Sequence, residues 1–311
     1  MKQTFHQGEL EVQARAGVAA MAERVGHSIR PAIPPAARVF MAQQPFAVAG
    51  SVSTDGSVWA SLLTGASGFA TVLDERRVRL SARPATGDPL AANLNAGAPL
   101  GLLFIEFVSR RRMRLNGVVE ASGDDAFTVA AEQVFSNCPK YIQARVWEAE
   151  RDKANENNAP APEHEGTSRH SLSTAQQQLI AAADTFFIAS HHPEGGADAS
   201  HRGGQPGFVR VLDERTLIWP DYAGNMMFQT LGNLSVNPRA GLLFPNFAHG
   251  TNLQLTGRAR IVWDAGRAAQ FAGAERVVEF TLEEVLATAP RYALNWRFLG
   301  YSPFNPASAK E

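Results

Sequence analysis

One cysteine, Cys138, stands alone in 311 residues. No intrachain disulfide can form, and a multi-cysteine zinc or iron–sulfur site is excluded. Lysine is nearly as scarce: Lys2, Lys140, Lys153 and Lys310 are the only four among 29 basic residues, so arginine, whose planar fork suits planar anions, carries the positive charge. An excess of either charge is also missing. With a formal net charge of −1, no basic stripe is expected to neutralise a nucleic-acid backbone. No apolar run approaches the roughly 18 residues that span a bilayer. The opening MKQTFHQGELEVQ lacks the apolar centre of a signal peptide. A cytoplasmic location, away from membrane and nucleic acid, is the expectation. What is present suffices for real cores: 45% hydrophobic and 19% charged residues, in a length that suits about two domains.

The chain repeats itself. GFATVLDERRVRL from Gly68 and GFVRVLDERTLIW from Gly207 share seven of thirteen positions at an offset of 139. Asn93-Leu94 answers Asn233-Leu234, GLLFIEF at Gly101 answers GLLFPNF at Gly241, and Leu115 and Gly117 answer Leu255 and Gly257. Upstream, Ala60-Ser61 answers Ala199-Ser200. Co-linear matches over about 75 residues per copy mark an internal duplication.

Each copy reads as a β-meander. FAVAGSV, VWASLLT, FATVLDE, RVRLSA, LGLLFIEF and RMRLNGVVEA are short apolar runs between turn signals, and FFIAS, GFVRVLD, TLIWPD, AGLLFPNF and NLQLTGRARIVW follow in the second copy. Six such strands predict a closed or nearly closed antiparallel barrel. A helix is expected in each copy, in DPLAANLNAGAP and in FQTLGNLSVNPR, with Asn95 and Asn237 as stops and Pro99 and Pro238 behind them. Outside the repeat, periodicity predicts a helix over 8–25, a second over 126–149 kinked at Pro139, and a third in TLEEVLATAPRYA. The expected organisation is a helical segment over 1–34, a first barrel with its helix over 35–150, an exposed polar linker over 151–175, and a second barrel with a C-terminal helix over 176–311.

The passage GFVRVLDERTLIWPDYAGNMMFQTLGNLSVNPRAGLLF, together with FHQGELEVQ near the start, NCPKYI at 137–142 and SHRGGQPGF at 200–208, resembles the FMN-binding split barrels of the pyridoxamine 5′-phosphate oxidase-like group. Within that group it is most similar to chains that carry two split barrels in tandem, and the resemblance covers nearly the whole sequence. It implies a mainly β fold with helices, a pseudo-dimer within one chain, FMN between the barrels, and a flavoprotein oxidoreductase acting on a small-molecule substrate or redox partner. A homodimer of such chains stays open. So do a flavin carrier, redox sensor or electron-transfer protein, and a split barrel that takes haem or deazaflavin.

The residues can be read as chemistry beside the resemblance. A flavin mononucleotide needs a phosphate cradle, apolar walls and backbone groups for the ring edge. In the second copy, Phe208, Val209 and Arg210 are the candidates beside the ring, with Arg210 offering a charge-assisted contact. Trp219, Pro220 and Asp221 end the neighbouring strand, and Gly224 and Asn225 turn the chain. Met227, Phe228, Gln229 and Thr230 then open a helix whose N–H groups and hydroxyl suit a phosphate without a lysine. Asp221 is expected to accept from a ribityl hydroxyl or to cap the helix. The first copy has SARPATGDPLAA at this place. Its Asp88 would repel a phosphate, so the first copy is expected to be degenerate, with about one flavin per chain. The sequence also departs from true pyridoxamine phosphate oxidases. Their Arg-Lys pair would fall near Gln229-Thr230, and their C-terminal Arg-x-His has no counterpart in NWRFLGYSPFNPASAKE.

Ser200, His201, Arg202, Cys138 and Lys140 are the candidates facing substrate or ring. A thiol near a lysine can act as a nucleophile; a lone cysteine is also simply a small buried hydrophobe. His191, His192 and His201 bracket HHPEGGADASHRGG, which reads as a glycine-rich loop too loose for a metal. No side chain stands out as a general base.

Overall fold

The computed structural model describes residues 4–148, 169–289 and 295–307. Three helices come first: α1 (Gln7–Arg15), α2 (Ala19–Gly26) and α3 (Pro35–Gln43). The first repeat follows as β1 (Phe46–Val52), β2 (Val58–Thr64), β3 (Ala70–Val72), β4 (Arg77–Leu80), α4 (Leu90–Asn93), β5 (Pro99–Glu106), β6 (Arg111–Ser122) and β7 (Phe127–Ser136). After β8 (Ala144–Glu148) and α5 (Thr174–Ala182) comes the second repeat. It comprises β9 (Thr185–His192), β10 (Gly196–Gly203), β11 (Arg210–Val211), β12 (Thr216–Tyr222), α6 (Gln229–Val236), β13 (Arg239–Asn246), β14 (Thr251–Val262), α7 (Ala265–Ala268) and β15 (Ala274–Thr288). The last strand, β16 (Asn295–Gly300), pairs with β8. Among the described residues no helix is long and apolar enough to cross a membrane.

Two seven-stranded antiparallel sheets result, ordered β2-β1-β5-β6-β7-β4-β3 and β10-β9-β13-β14-β15-β12-β11. The orders are identical under the repeat. The duplicated D-E-R turns superpose in detail, Asp74 accepting from the Arg76 amide and Asp213 from the Arg215 amide, both at 2.8 Å. The duplicated asparagines do so too, Asn93 and Asn233 each donating to a serine, Ser51 or Ser190, at 2.9 Å. Each sheet has seven strands where six are expected, and its order begins and ends on strands paired on one side only, which is the split of the barrel.

Side-chain alternation explains why the barrels pack together. Along β5, Leu102 and Phe104 enter the first core while Leu103 and Ile105 enter a separate cluster between the barrels. Along β9, Phe186 and Ile188 enter the second core while Phe187 and Ala189 join that same cluster. These strands are buried on both faces, which is why they read as continuous apolar runs. Close approach at the interface depends on two glycines at matching repeat positions. A Cβ on Gly101 would lie 2.6 Å from Asp198 Cα, and one on Gly241 would lie 2.6 Å from Trp59 Cα.

Four expectations are corrected. The helix over 126–149 is β7, a loop and β8. TLEEVLATAPRYA lies on β15 as far as Thr288, and its remainder falls partly outside the described residues. Both errors come from β-bulges. Glu132 and Glu283 are extra residues at the register shifts opposite Gly117 and Gly257, so Ala131 and Val134, like Leu282 and Val285, point inward three apart. That spacing imitates a helix. The glycine-rich loop holding His191, His192 and His201 is the β9–β10 hairpin; β10 is rich in glycine, alanine and serine because it crosses the glycine contact. The helix over 8–25 is two helices, broken where Gly17 takes a φ of +72°. The linker over 151–175 lies outside the described residues as far as 168, and α5 begins at Thr174.

Candidate functional site

Where β10, β12 and the start of α6 meet β6 and the segment 137–141, the molecule holds a cleft of about 130 Å³. Its walls come from both repeats. From the first come Arg112 and Arg114, two apart on β6 and so on one face, with Cys138, Lys140 and Tyr141 beyond β7. From the second come His201 and Arg202 on β10, Phe208, the end of β12 at Pro220–Tyr222 and the loop into α6.

The floor is a buried polar network. Arg114 donates through Nη1 to Asp198 Oδ1 at 3.0 Å and to Gln229 Oε1 at 3.0 Å, and through Nη2 to Ser200. Asn116 also donates to Asp198, at 3.3 Å. Arg202 donates to Ser200 Oγ at 2.7 Å. Arg276 pairs with Asp221 at 2.7 Å and with Glu275 at 2.6 Å. Burial pushes the Asp221 carboxyl up from its ordinary range, against the pull of Arg202 and Arg276. Arg112 and Arg202 differ from Arg114: among the described residues neither has a carboxylate within 4 Å. Burial lowers both guanidiniums, Arg112 to about 10.

His201 is 2% exposed and is held well below the usual imidazole range, first by burial and then by the charges of Arg112, Arg202, Arg145 and Arg114. Its Nδ1 lies 3.4 Å from Arg112 Nη1, which can only donate. The ring is therefore neutral, with its proton on Nε2. That N–H has no partner, and neither do Arg114 Nε and Gln229 Nε2. Three residues lining one cleft thus carry unsatisfied donors, which suits an acceptor-rich ligand.

The structure gathers most of the residues singled out in the sequence. Phe208, Pro220, Asp221, Asn225, Phe228, Thr230, His201, Arg202, Cys138 and Lys140 all line the cleft. Ser200 lies beneath it as an acceptor for two arginines. The others are elsewhere. Val209 and Trp219 are packed in the second core, and Met227 sits with Phe5 and Phe135. Arg210 is exposed, donating to the Gln270 carbonyl at 2.7 Å with its guanidinium 4.0 Å from the Phe271 ring centroid. On so short an edge strand, alternation turns Val209 inward and Arg210 out. Gly224 keeps an ordinary φ; the left-handed residues of this loop are Met226 (65°) and Phe228 (58°). Asn225 accepts from the Met227 amide at 3.2 Å, shaping the turn. Asp221 caps nothing and serves Arg276 instead.

Sequence reasoning missed Arg112, Arg114, Asp198, Tyr141, Tyr222 and Arg276. One signal was legible. RRRMR at 110–114 places arginines on alternate positions of a strand, where the second copy has TNLQ. The matching position in the other half shows what that difference does. Gln254 stands for Arg114 and Trp59, 3% exposed, stands for Asp198. Asp88 is buried there, accepting from Ser61 Oγ at 2.6 Å, the Leu90 amide at 2.9 Å and Gln254 Nε2 at 3.2 Å. Thr288 closes the set by donating to Gln254 at 2.8 Å. Among the described residues, buried protein side chains occupy the second position.

The family described as pyridoxamine 5′-phosphate oxidase matches this chain twice, over residues 33–156 and 172–292, one match to each repeat. The chain belongs to that family. No curated protein matches it. Among solved structures, a Lactobacillus delbrueckii protein provisionally named a pyridoxamine 5′-phosphate oxidase is 18% identical, with a TM-score of 0.33 over 38% of this chain and 95% of that one. HupZ of Group A Streptococcus is 14% identical, with a TM-score of 0.32 over 39% and 98%. An FMN-binding protein of Syntrophomonas wolfei is 8% identical, with a TM-score of 0.29 over 37% and 84%. In this member of the pyridoxamine 5′-phosphate oxidase family, the family match and the cleft coincide: each wall of the cleft comes from a different matched segment.

Proposed function

We propose that the chain binds FMN in this cleft and is a flavin-dependent oxidoreductase. The observation that carries the reading is the charge and donor balance of the site. Among the described residues, Arg112, Arg114, Arg202 and Lys140 line the cleft against Asp221 and Glu275, the Arg114–Asp198 and Arg276–Asp221 pairs lie in its floor, and three buried donors lack acceptors. An excess of two positive charges with spare donors fits a phosphomonoester dianion attached to a ring rich in acceptors.

The residues present fit the group. Arg202, Asn225, Thr230 and the start of α6 would hold the phosphate, and Phe208 and Pro220 would wall the ring. When bound, the flavin supplies the capacity to accept a hydride or two electrons. The protein's share is to bind, orient and exclude water. Neutral His201 offers an N–H donor rather than a general base, because burial first and then the surrounding arginines oppose its protonation. The family's namesake reaction on vitamin B6 does not follow, since Gln229 and Thr230 stand where the Arg-Lys pair would be.

The test is the visible spectrum after incubation with FMN and desalting. Oxidised-flavin bands at about one equivalent per chain are expected, and anaerobic bleaching by NADH or NADPH would show turnover competence. Arg202→Gln should weaken FMN binding by about tenfold or more, the loss of a charge-assisted contact, and leave riboflavin affinity nearly unchanged. Equal losses for FMN and riboflavin would remove the phosphate from this end of the cleft.

A further inference from the structure

Three of the four non-glycine residues with positive φ among those described line this one cleft: Tyr141 (64°), Met226 (65°) and Phe228 (58°). Side chains seldom adopt that conformation, and where it clusters the surroundings must hold it in place. Met226 and Phe228 belong to the second repeat, and Tyr141 faces them from beyond the first. The Tyr141 hydroxyl donates to the Ala223 carbonyl at 3.1 Å, and its ring lies 5.0 Å from that of Tyr222, tilted by 33°. Both tyrosines are half-buried, and Ala223 and Gly224 are exposed, so the tether spans the mouth and not the floor.

The backbone of Tyr141 is braced from outside the cleft. Its amide donates to Ser302 Oγ at 3.2 Å, and its carbonyl accepts from Gln143 Nε2 at 3.0 Å. Gln143 in turn accepts from the Ser302 amide at 2.8 Å. The main chain is fixed, then, while the ring is held by one hydroxyl bond and one ring contact. The cleft that it borders measures about 130 Å³, the size of a cavity that takes one small ring.

We propose that Tyr141 is the gate and size-selecting residue of the cleft. The tether to Ala223 narrows the mouth, and its release widens the entry for a ligand with one ring system and one phosphate end. Naming FMN as that ligand rests on the proposed function; the gate rests on the cleft's geometry alone. Cys138 supplies a reporter, being the chain's single cysteine, part of the cleft wall and three residues from the gate.

The experiment measures the alkylation rate of Cys138 by iodoacetamide in the full chain, with FMN absent. Tyr141→Phe keeps the ring and removes the tether. It should raise the rate by about two- to tenfold, the worth of one hydrogen bond, and lower the melting temperature by no more than about 4 °C. Tyr301→Phe, at an exposed tyrosine outside the cleft, should leave the rate as it is in the wild type. In stopped flow with FMN, Tyr141→Phe should speed association and dissociation together and hold Kd within about twofold. An alkylation rate for Tyr141→Phe equal to that of wild type overturns the gate, and so does a rise seen only in Tyr141→Ala, which would make the ring a passive wall. A faster thiol reaction in a chain that binds no FMN would uphold the gate and sink the flavin reading.

Discussion

Arg114 belongs to the first repeat and Asp198 to the second, yet both are buried on the same floor, 7% and 3% exposed at their side chains. A buried pair gains little over an apolar replacement, but removing one partner strands the other charge. Arg114→Met should therefore destabilise by about 3–5 kcal/mol in urea unfolding. Adding Asp198→Asn should recover at least half of that. A double variant no more stable than the single would mean that the pair is not coupled. At this scale the sequence singled out polar residues of the β10 end and of the loop into α6, and the structure brings them to one cleft. Pairing was not legible, because Asp198, Arg114 and Arg276 come from strands far apart in the chain.

Helix α1 shows how an element outside the repeat is bound to the site. Gly8 and Gly232 let α1 and α6 touch: a Cβ on Gly8 would fall 2.4 Å from the Gly232 carbonyl oxygen. Gln13 donates to the Met227 carbonyl at 3.0 Å, inside the loop that opens α6. Two titrating groups ride on this docking. Burial raises Glu9 to about 8 and lowers His6 to about 4, the latter stacked 3.8 Å from His192. Folded Glu9 holds a proton that the unfolded chain releases above about 4.5, so stability falls as pH rises from there to 8. Folded His6 stays neutral while the unfolded chain protonates below about 6.5, so its contribution is present above that pH and lost as pH falls toward 4. The two slopes oppose each other between 4.5 and 6.5, and Glu9 alone acts from 6.5 to 8. Wild-type Tm should thus decline across pH 6.5–8, and Glu9→Gln should flatten that decline. An equal decline in both proteins would place the titration elsewhere. Among the elements, β7 and β15 misled the sequence reading for one reason: a bulge breaks the alternation on which strand recognition depends.

In the whole molecule, two copies of one sheet meet through a pair of glycine contacts. Gly101→Ala and Gly241→Ala each put a methyl group against backbone across the interface, at 2.6 Å from a Cα that cannot rotate away. Each should cost about 1–3 kcal/mol, and the double variant about the sum, since the contacts lie at separate places. A double variant no worse than either single would show that the first change had already parted the barrels. The duplication, most strands of each repeat, the two short helices and the position of the loop into α6 were determined by the sequence itself, because turn residues, apolar runs and repeat offsets are local or co-linear signals. Which copy keeps an open cleft was decided in three dimensions. Arg114 reaches the second repeat's half of the interface and Gln254 the first's, so each position is completed by the other copy's strand. One exchange of arginine for glutamine and one of aspartate for tryptophan leave one position charged and open and the other filled. No distance along the chain records that crossing. It exists only because two hydrophobic faces, brought together by burial, set β6 against β10 and β14 against β2.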